Sequence, residues 1–112
     1  MARLYMEGAT SPALAANGNR NSARVILSVT DSNGNGVTGL AVSDFIIGNP
    51  VVGAGGASVV IDFINPSGPG GAYVMGLLPN GVNNWADGRY LISLDVASGT
   101  DDGQTVFSLD IP

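Results

Sequence analysis

The sequence contains no cysteine, no histidine and no lysine, and its only side-chain cations are Arg3, Arg20, Arg24 and Arg89. Without cysteine there is no disulfide, no thiolate metal site and no thiol nucleophile, so redox function is excluded. Histidine and lysine are the other side chains that most often move protons or form covalent adducts near neutral pH, which leaves paired carboxylates as the remaining familiar route to catalysis. Nine acidic residues against four arginines give a net charge of -5, which repels nucleic acid and anionic lipid. Long hydrophobic runs are missing too. No stretch approaches the roughly 18 apolar residues of a membrane span. Glu7 interrupts the one apolar stretch near the start, and Ala13-Leu14-Ala15, shaped like a signal-peptidase site, has no apolar segment before it. Neither membrane insertion nor a signal peptide is expected of this chain.

What remains is a composition of strands and turns. Apolar residues make up 45% of the 112 positions and charged residues 12%, with the rest dominated by Gly, Asn, Ser and Thr, which helices disfavour. The length suits one domain with a modest core. Between Ala23 and Ile111, six apolar stretches of strand length recur between Gly, Asn, Asp and Pro, and one more precedes them. The period-two rule assigns their inner rows: Val25, Leu27 and Val29; Phe45 and Ile47; Val59, Ile61 and Phe63; Tyr73, Met75 and Leu77; Tyr90, Ile92, Leu94 and Val96; Phe107, Leu109 and Ile111. Only Leu40–Asp44 has room for a helical turn. Turn chemistry fills the gaps at 31–36, 66–71 and 99–103. The fold class is therefore all-β, an immunoglobulin-like antiparallel β-sandwich of about seven strands. Residues 23–112 form the sandwich. Residues 1–22 form either an edge strand over Arg3–Glu7 followed by a long loop, or a mobile arm.

From Val25 onward the order of signals resembles bacterial immunoglobulin-like repeats of the invasin and intimin type. The residues that carry the resemblance are Thr30-Asp31, Asn33-Gly34-Asn35-Gly36-Val37-Thr38-Gly39-Leu40, Ser43-Asp44-Phe45, Gly71-Ala72-Tyr73, Pro79, and Asp87-Gly88-Arg89-Tyr90 before a closing strand. The resemblance covers about the last three quarters of the chain and implies a module of a surface protein. Tyr90 then falls at the start of the penultimate strand, the place of a tyrosine corner, although a Tyr that simply faces the core fits the same position. A related bacterial class closes an internal bond between Lys and Asn, which a chain without lysine cannot form.

Three groups of residues are candidates for function. Asp31, Asn33 and Asn35 place oxygen atoms on alternate residues with Gly36 at the sixth position, as in the first half of a calcium loop. The second half fails, because Val42 stands where the bidentate acid belongs. A hairpin turn accounts for the same residues, and a weak calcium site would need Asp101 or Asp102 from across a loop tip. Asn83, Asn84, Trp85 and Asp87 set an aromatic ring among amides and a carboxylate, a constellation that can bind carbohydrate, with Tyr73 as a further contact. Trp85 as a plug at the open end of the sandwich is the preferred reading. Finally Leu4, Tyr5 and Met6 in the N-terminal stretch, and Leu91 and Val106 on outward positions of the last two strands, are candidates for a protein interface, with Ile26 similarly placed on the second strand. The acidic residues are spread over turns and outward positions, Asp95 and Asp110 among them, so no catalytic dyad is expected.

The expectation is a non-catalytic structural or adhesive module of a bacterial surface protein, fibre or virion-associated assembly, outside the cell and without a cofactor other than calcium. Its partners would be copies of itself or neighbouring modules. A carbohydrate-binding module built on the Trp85 loop is the alternative.

Overall fold

The computed structural model describes residues 2–48, 52–53 and 58–112. Eight strands carry the fold: β1 (Tyr5–Ser11), β2 (Ala23–Thr30), β3 (Phe45–Ile47), β4 (Val52–Gly53), β5 (Val59–Pro66), β6 (Ala72–Pro79), β7 (Gly88–Ser98) and β8 (Asp101–Ile111). A single 3-10 turn, Val42–Asp44, stands before β3. One antiparallel sheet has the order β1-β2-β6-β5. In the other, β7 pairs with β8 along one edge and with both β3 and β4 along the opposite edge, so β3 and β4 act as one interrupted strand. Counted that way, four strands face three in the order of an immunoglobulin constant-type sandwich.

The inner rows follow from the alternation of the sequence. Val25, Leu27 and Val29 of β2, Tyr73, Met75 and Leu77 of β6, and Ile92, Leu94 and Val96 of β7 are all buried between the sheets. β7 and β8 form a hairpin of eleven paired positions closed by Gly99 and Thr100, where Gly99 takes φ +63° at no steric cost.

The structure corrects two expectations. Phe63 does not join the inner row of β5. A bulge between Ile61 and Phe63 shifts the register, so Ile64 turns inward against the core and Phe63 turns outward opposite Gly76. Of the two readings of the N-terminal stretch, an edge strand or a mobile arm, the structure has the edge strand, but over Tyr5–Ser11 rather than Arg3–Glu7. β1 pairs with β2 over seven positions, from Tyr5 opposite Thr30 to Ser11 opposite Arg24. Just before it, the Leu4 amide donates to the Asp102 carbonyl at 2.7 Å and the Asp102 amide to the Ala2 carbonyl at 3.3 Å, tying the chain to β8 of the other sheet. Leu4, Met6 and Ala15 are core residues, so 1–22 is built into the sandwich rather than set apart from it.

Candidate contact surface

At one end of the sandwich the connection between β1 and β2 wraps around the loop that precedes β7. The Trp85 ring is 1% exposed and meets the Tyr90 ring edge-to-face, with centroids 5.4 Å apart. Its Nε1 donates to the Asn21 carbonyl at 2.7 Å, and its own backbone pairs with Gly18 and Asn19. The Arg20 guanidinium donates to the carbonyls of Pro79 and Gly81 and so pins the same loop. Trp85 is therefore a plug with its polar edge satisfied, and no ring face is left for a sugar. Asn83 donates to the Asn80 carbonyl within its own turn, and Asn84 and Asp87 are exposed beside a ring that faces away from them. Tyr73 is also removed from the surface. It is 2% exposed, and its hydroxyl donates to the Val37 carbonyl at 2.6 Å and accepts from the Leu40 amide at 3.3 Å. Both features of Tyr90 coexist: it is buried, and its hydroxyl bonds the amide and carbonyl of Ala86, four residues upstream, which is a tyrosine corner.

The Asp31 loop is organised by its own backbone. Asp31 Oδ1 accepts from the amides of Asn33 and Asn35 at 2.9 and 3.0 Å, and the Asp31 amide donates to the Asn35 carbonyl. An aspartate engaged in this way is the cap of a turn. The side chains of Asn33 and Asn35 remain exposed. Among the described residues, no group of three or more acidic side chains is gathered closely enough to hold a metal.

The proposed interface residues separate. Leu4 and Met6 lie in the chain's own core at 3% and 6% exposure, because successive residues of an edge strand face opposite ways and theirs is the inward row. Tyr5 is exposed. Leu91 opposes Ser108 and Ser93 opposes Val106 on the outer face of β7 and β8, so Leu91 and Val106 are diagonal neighbours. Each exposed aliphatic on this face has a polar residue opposite it; Ile46 of β3 faces Asp95. At one end of the face Arg89 grips Asp110 with two hydrogen bonds of 2.7 and 3.0 Å. These bonds, more than the charge itself, raise the pKa of Arg89 and hold the carboxyl of Asp110 below its ordinary value. At the other end Arg3, Asp44, Asp95 and Asp102 line a groove of about 540 Å³.

The outer face of the four-stranded sheet is built differently. Every outward position of β6, one of its two inner strands, is apolar or glycine: Ala72, Val74, Gly76 and Leu78. Ile26 of β2 opposes Val74 and is 62% exposed. On the far side Val60 opposes Leu78, and the ring of Phe63 lies flat over Gly76 with the Arg24 guanidinium 5.0 Å above it. The bulge is what delivers Phe63 to this face. Ala9, Ile26 and Val74 thus form one apolar row across three strands, which ends in Asn65 on β5, and Phe63, Leu78 and Val60 lie in the next two rows across β5 and β6. A sheet with one face to water normally alternates apolar and polar residues along each strand, whereas a strand apolar on both sides is dressed for cover on both sides. Reading only the inner row of Ala72–Pro79 misses this. The signal lay in the same eight residues, where the second row contains no polar side chain.

Fold and surface together define an immunoglobulin-type β-sandwich with one polar and one apolar outer face. Comparison of the chain with protein-family models, with curated proteins and with solved structures finds no match.

Proposed function

We propose that this chain is a non-catalytic structural or adhesive module of immunoglobulin-like type that works through protein–protein contacts and self-association. The observation that carries the reading is the contiguous apolar outer face of the four-stranded sheet, centred on Ile26 and Val74. Contiguous apolar patches of this kind mark contact surfaces, whereas single exposed aliphatics do not. The residue inventory agrees with it: histidine, cysteine and lysine are absent. The resemblance of residues 25 onward to invasin and intimin repeats supports reading it as a module of a bacterial surface protein, a fibre or a virion-associated assembly.

Mass in solution across a concentration series, by light scattering behind a sizing column, tests the reading. The expected result is growth above the 11.3 kDa of one chain as concentration rises. A mass fixed at one chain up to high concentration counts against self-association.

A further inference from the structure

The geometry points to a second copy of this chain as the partner of the apolar face, docked face to face about a two-fold axis; this rests on the contact-module reading above. The register of the sheet supplies the argument. Its outward residues form three successive rows: Glu7 beside Ser28 and Ala72; Ala9 beside Ile26, Val74 and Asn65; and Ser11 beside Arg24, Gly76 and Phe63. The middle row is apolar across β1, β2 and β6 and ends in Asn65 on β5, with an acid on the row to one side and a base on the row to the other.

A two-fold axis lying between two such sheets, at right angles to the strands and level with the middle row, reverses the order of rows in the second copy. Ile26 and Val74 then meet their own counterparts, as an isologous contact requires. Arg24 of each copy falls over Ser28 of the other, one strand spacing of about 4.8 Å from that copy's Glu7. The same reversal sets the Phe63 ring of each copy toward the small Ala72 row of the other, bulk against space. Arg24 is available for this contact: its guanidinium stacks on Phe63 and, among the described residues, bonds only the Ser22 carbonyl, and Glu7 is exposed. The face measures about 19 Å by 26 Å from strand spacing and rise, about 1,000 Å² over the pair. That is the size at which a specific interface begins, so the dimer forms at micromolar or higher concentration. On the outer face of β7 and β8, Leu91 stands opposite Ser108 and Val52, Val106 opposite Ser93 and Ile46 opposite Asp95, so no row there is apolar across three strands.

The test is a charge exchange read by mass in a concentration series, with far-UV circular dichroism on every variant to check the fold. Glu7→Arg and Arg24→Glu should each weaken the dimer tenfold or more, and the double variant Glu7→Arg/Arg24→Glu should recover most of the loss. Ile26→Asp should leave a monomer, whereas Leu91→Asp should dimerise like the parent chain. Association that survives Ile26→Asp and both single reversals overturns the arrangement and leaves the contact-module reading standing. A double variant no better than its worse parent also overturns it. A parent chain that stays at 11.3 kDa throughout overturns both.

Discussion

Along β7 and β8 the outer row runs Arg89, Leu91, Ser93, Asp95, Ala97 and Asp102, Gln104, Val106, Ser108, Asp110, and every aliphatic on it has a polar residue across the ladder. Along β6 the outer row runs Ala72, Val74, Gly76, Leu78 without a polar side chain, and its neighbours are Ser28, Ile26 and Arg24 on β2 and Asn65, Phe63 and Val60 on β5. The inner rows of both sheets are equally buried, so the core does not distinguish them. In a sandwich the inner row records how the domain folds and the outer row records what the sheet meets. A sheet that met only water would have no reason to exclude polar residues from four consecutive outward positions, given that β-branched and polar residues such as Thr serve there as well.

The largest expected effect tests whether the two faces belong to one cooperative body. Trp85 packs on Tyr90 of the three-stranded sheet while its backbone and indole are held by residues that lead into β2 of the other. Trp85→Ala should therefore cost about 3–5 kcal/mol, a large part of the roughly 5–15 kcal/mol that holds a domain together. Both sheets should lose amide-exchange protection together. Circular dichroism melts and hydrogen exchange check this, and protection lost from β2 and β6 alone would mean that the faces belong to separately stable layers.

A smaller effect sharpens the contrast directly. At Gly76 a Cβ would collide with the Cε2, Cδ2 and Cζ atoms of the Phe63 ring. Gly76→Val must displace that ring and the guanidinium above it, an overpacking cost of about 1–3 kcal/mol. Ser108→Val, on the outer row of an exposed edge strand, should stay within about 0.5 kcal/mol of the parent. Denaturant melts of the two variants measure the difference. Equal costs would mean that Phe63 is not seated on Gly76 and that the apolar face is looser than its geometry implies.

Much of the fold is written in the inner rows, since Val25 to Val29 and Tyr90 to Val96 alternate buried and outward positions without interruption. The Asp31 turn and the tyrosine corner at Tyr90 are legible for the same reason: each depends on residues close in sequence. Three features are not. The bulge at Asp62 adds one residue to β5, and alternation alone carries no mark of where a row changes face, so Phe63 reads as core. β1 runs on through Gly8 and Ala9, residues of weak strand preference, because pairing with β2 and the closeness of Gly8 to Phe107 override propensity. Leu4 and Met6 look available in the sequence, and only the tie between Leu4 and Asp102 shows that the chain spends them on its own core. The contact face combines all of this: half of it is visible in β6, and the other half depends on a bulge and on a register that only the folded sheet specifies.

The smallest expected effect concerns the Arg89–Asp110 ion pair, the one found on the polar face among the described residues. Arg89 and Asp110 are fully exposed, and their hydrogen bonds hold the carboxyl of Asp110 below its ordinary value in the folded chain. A group whose pKa is lowered by folding adds stability above its unfolded pKa, and that contribution is lost as pH falls through the folded value, so the window lies at and below the ordinary carboxylate range. At neutral pH the contribution is fully present but screened by solvent and by salt. A carbon-detected NMR titration of the Asp110 carboxyl should show a midpoint below that of an ordinary Asp, which returns toward it in molar salt or in Arg89→Gln. The same substitution should leave the dimer mass unchanged, because this pair lies on the face turned away from the partner. A loss of dimer in Arg89→Gln would transfer the contact to β7 and β8, and with it the distinction between the two faces.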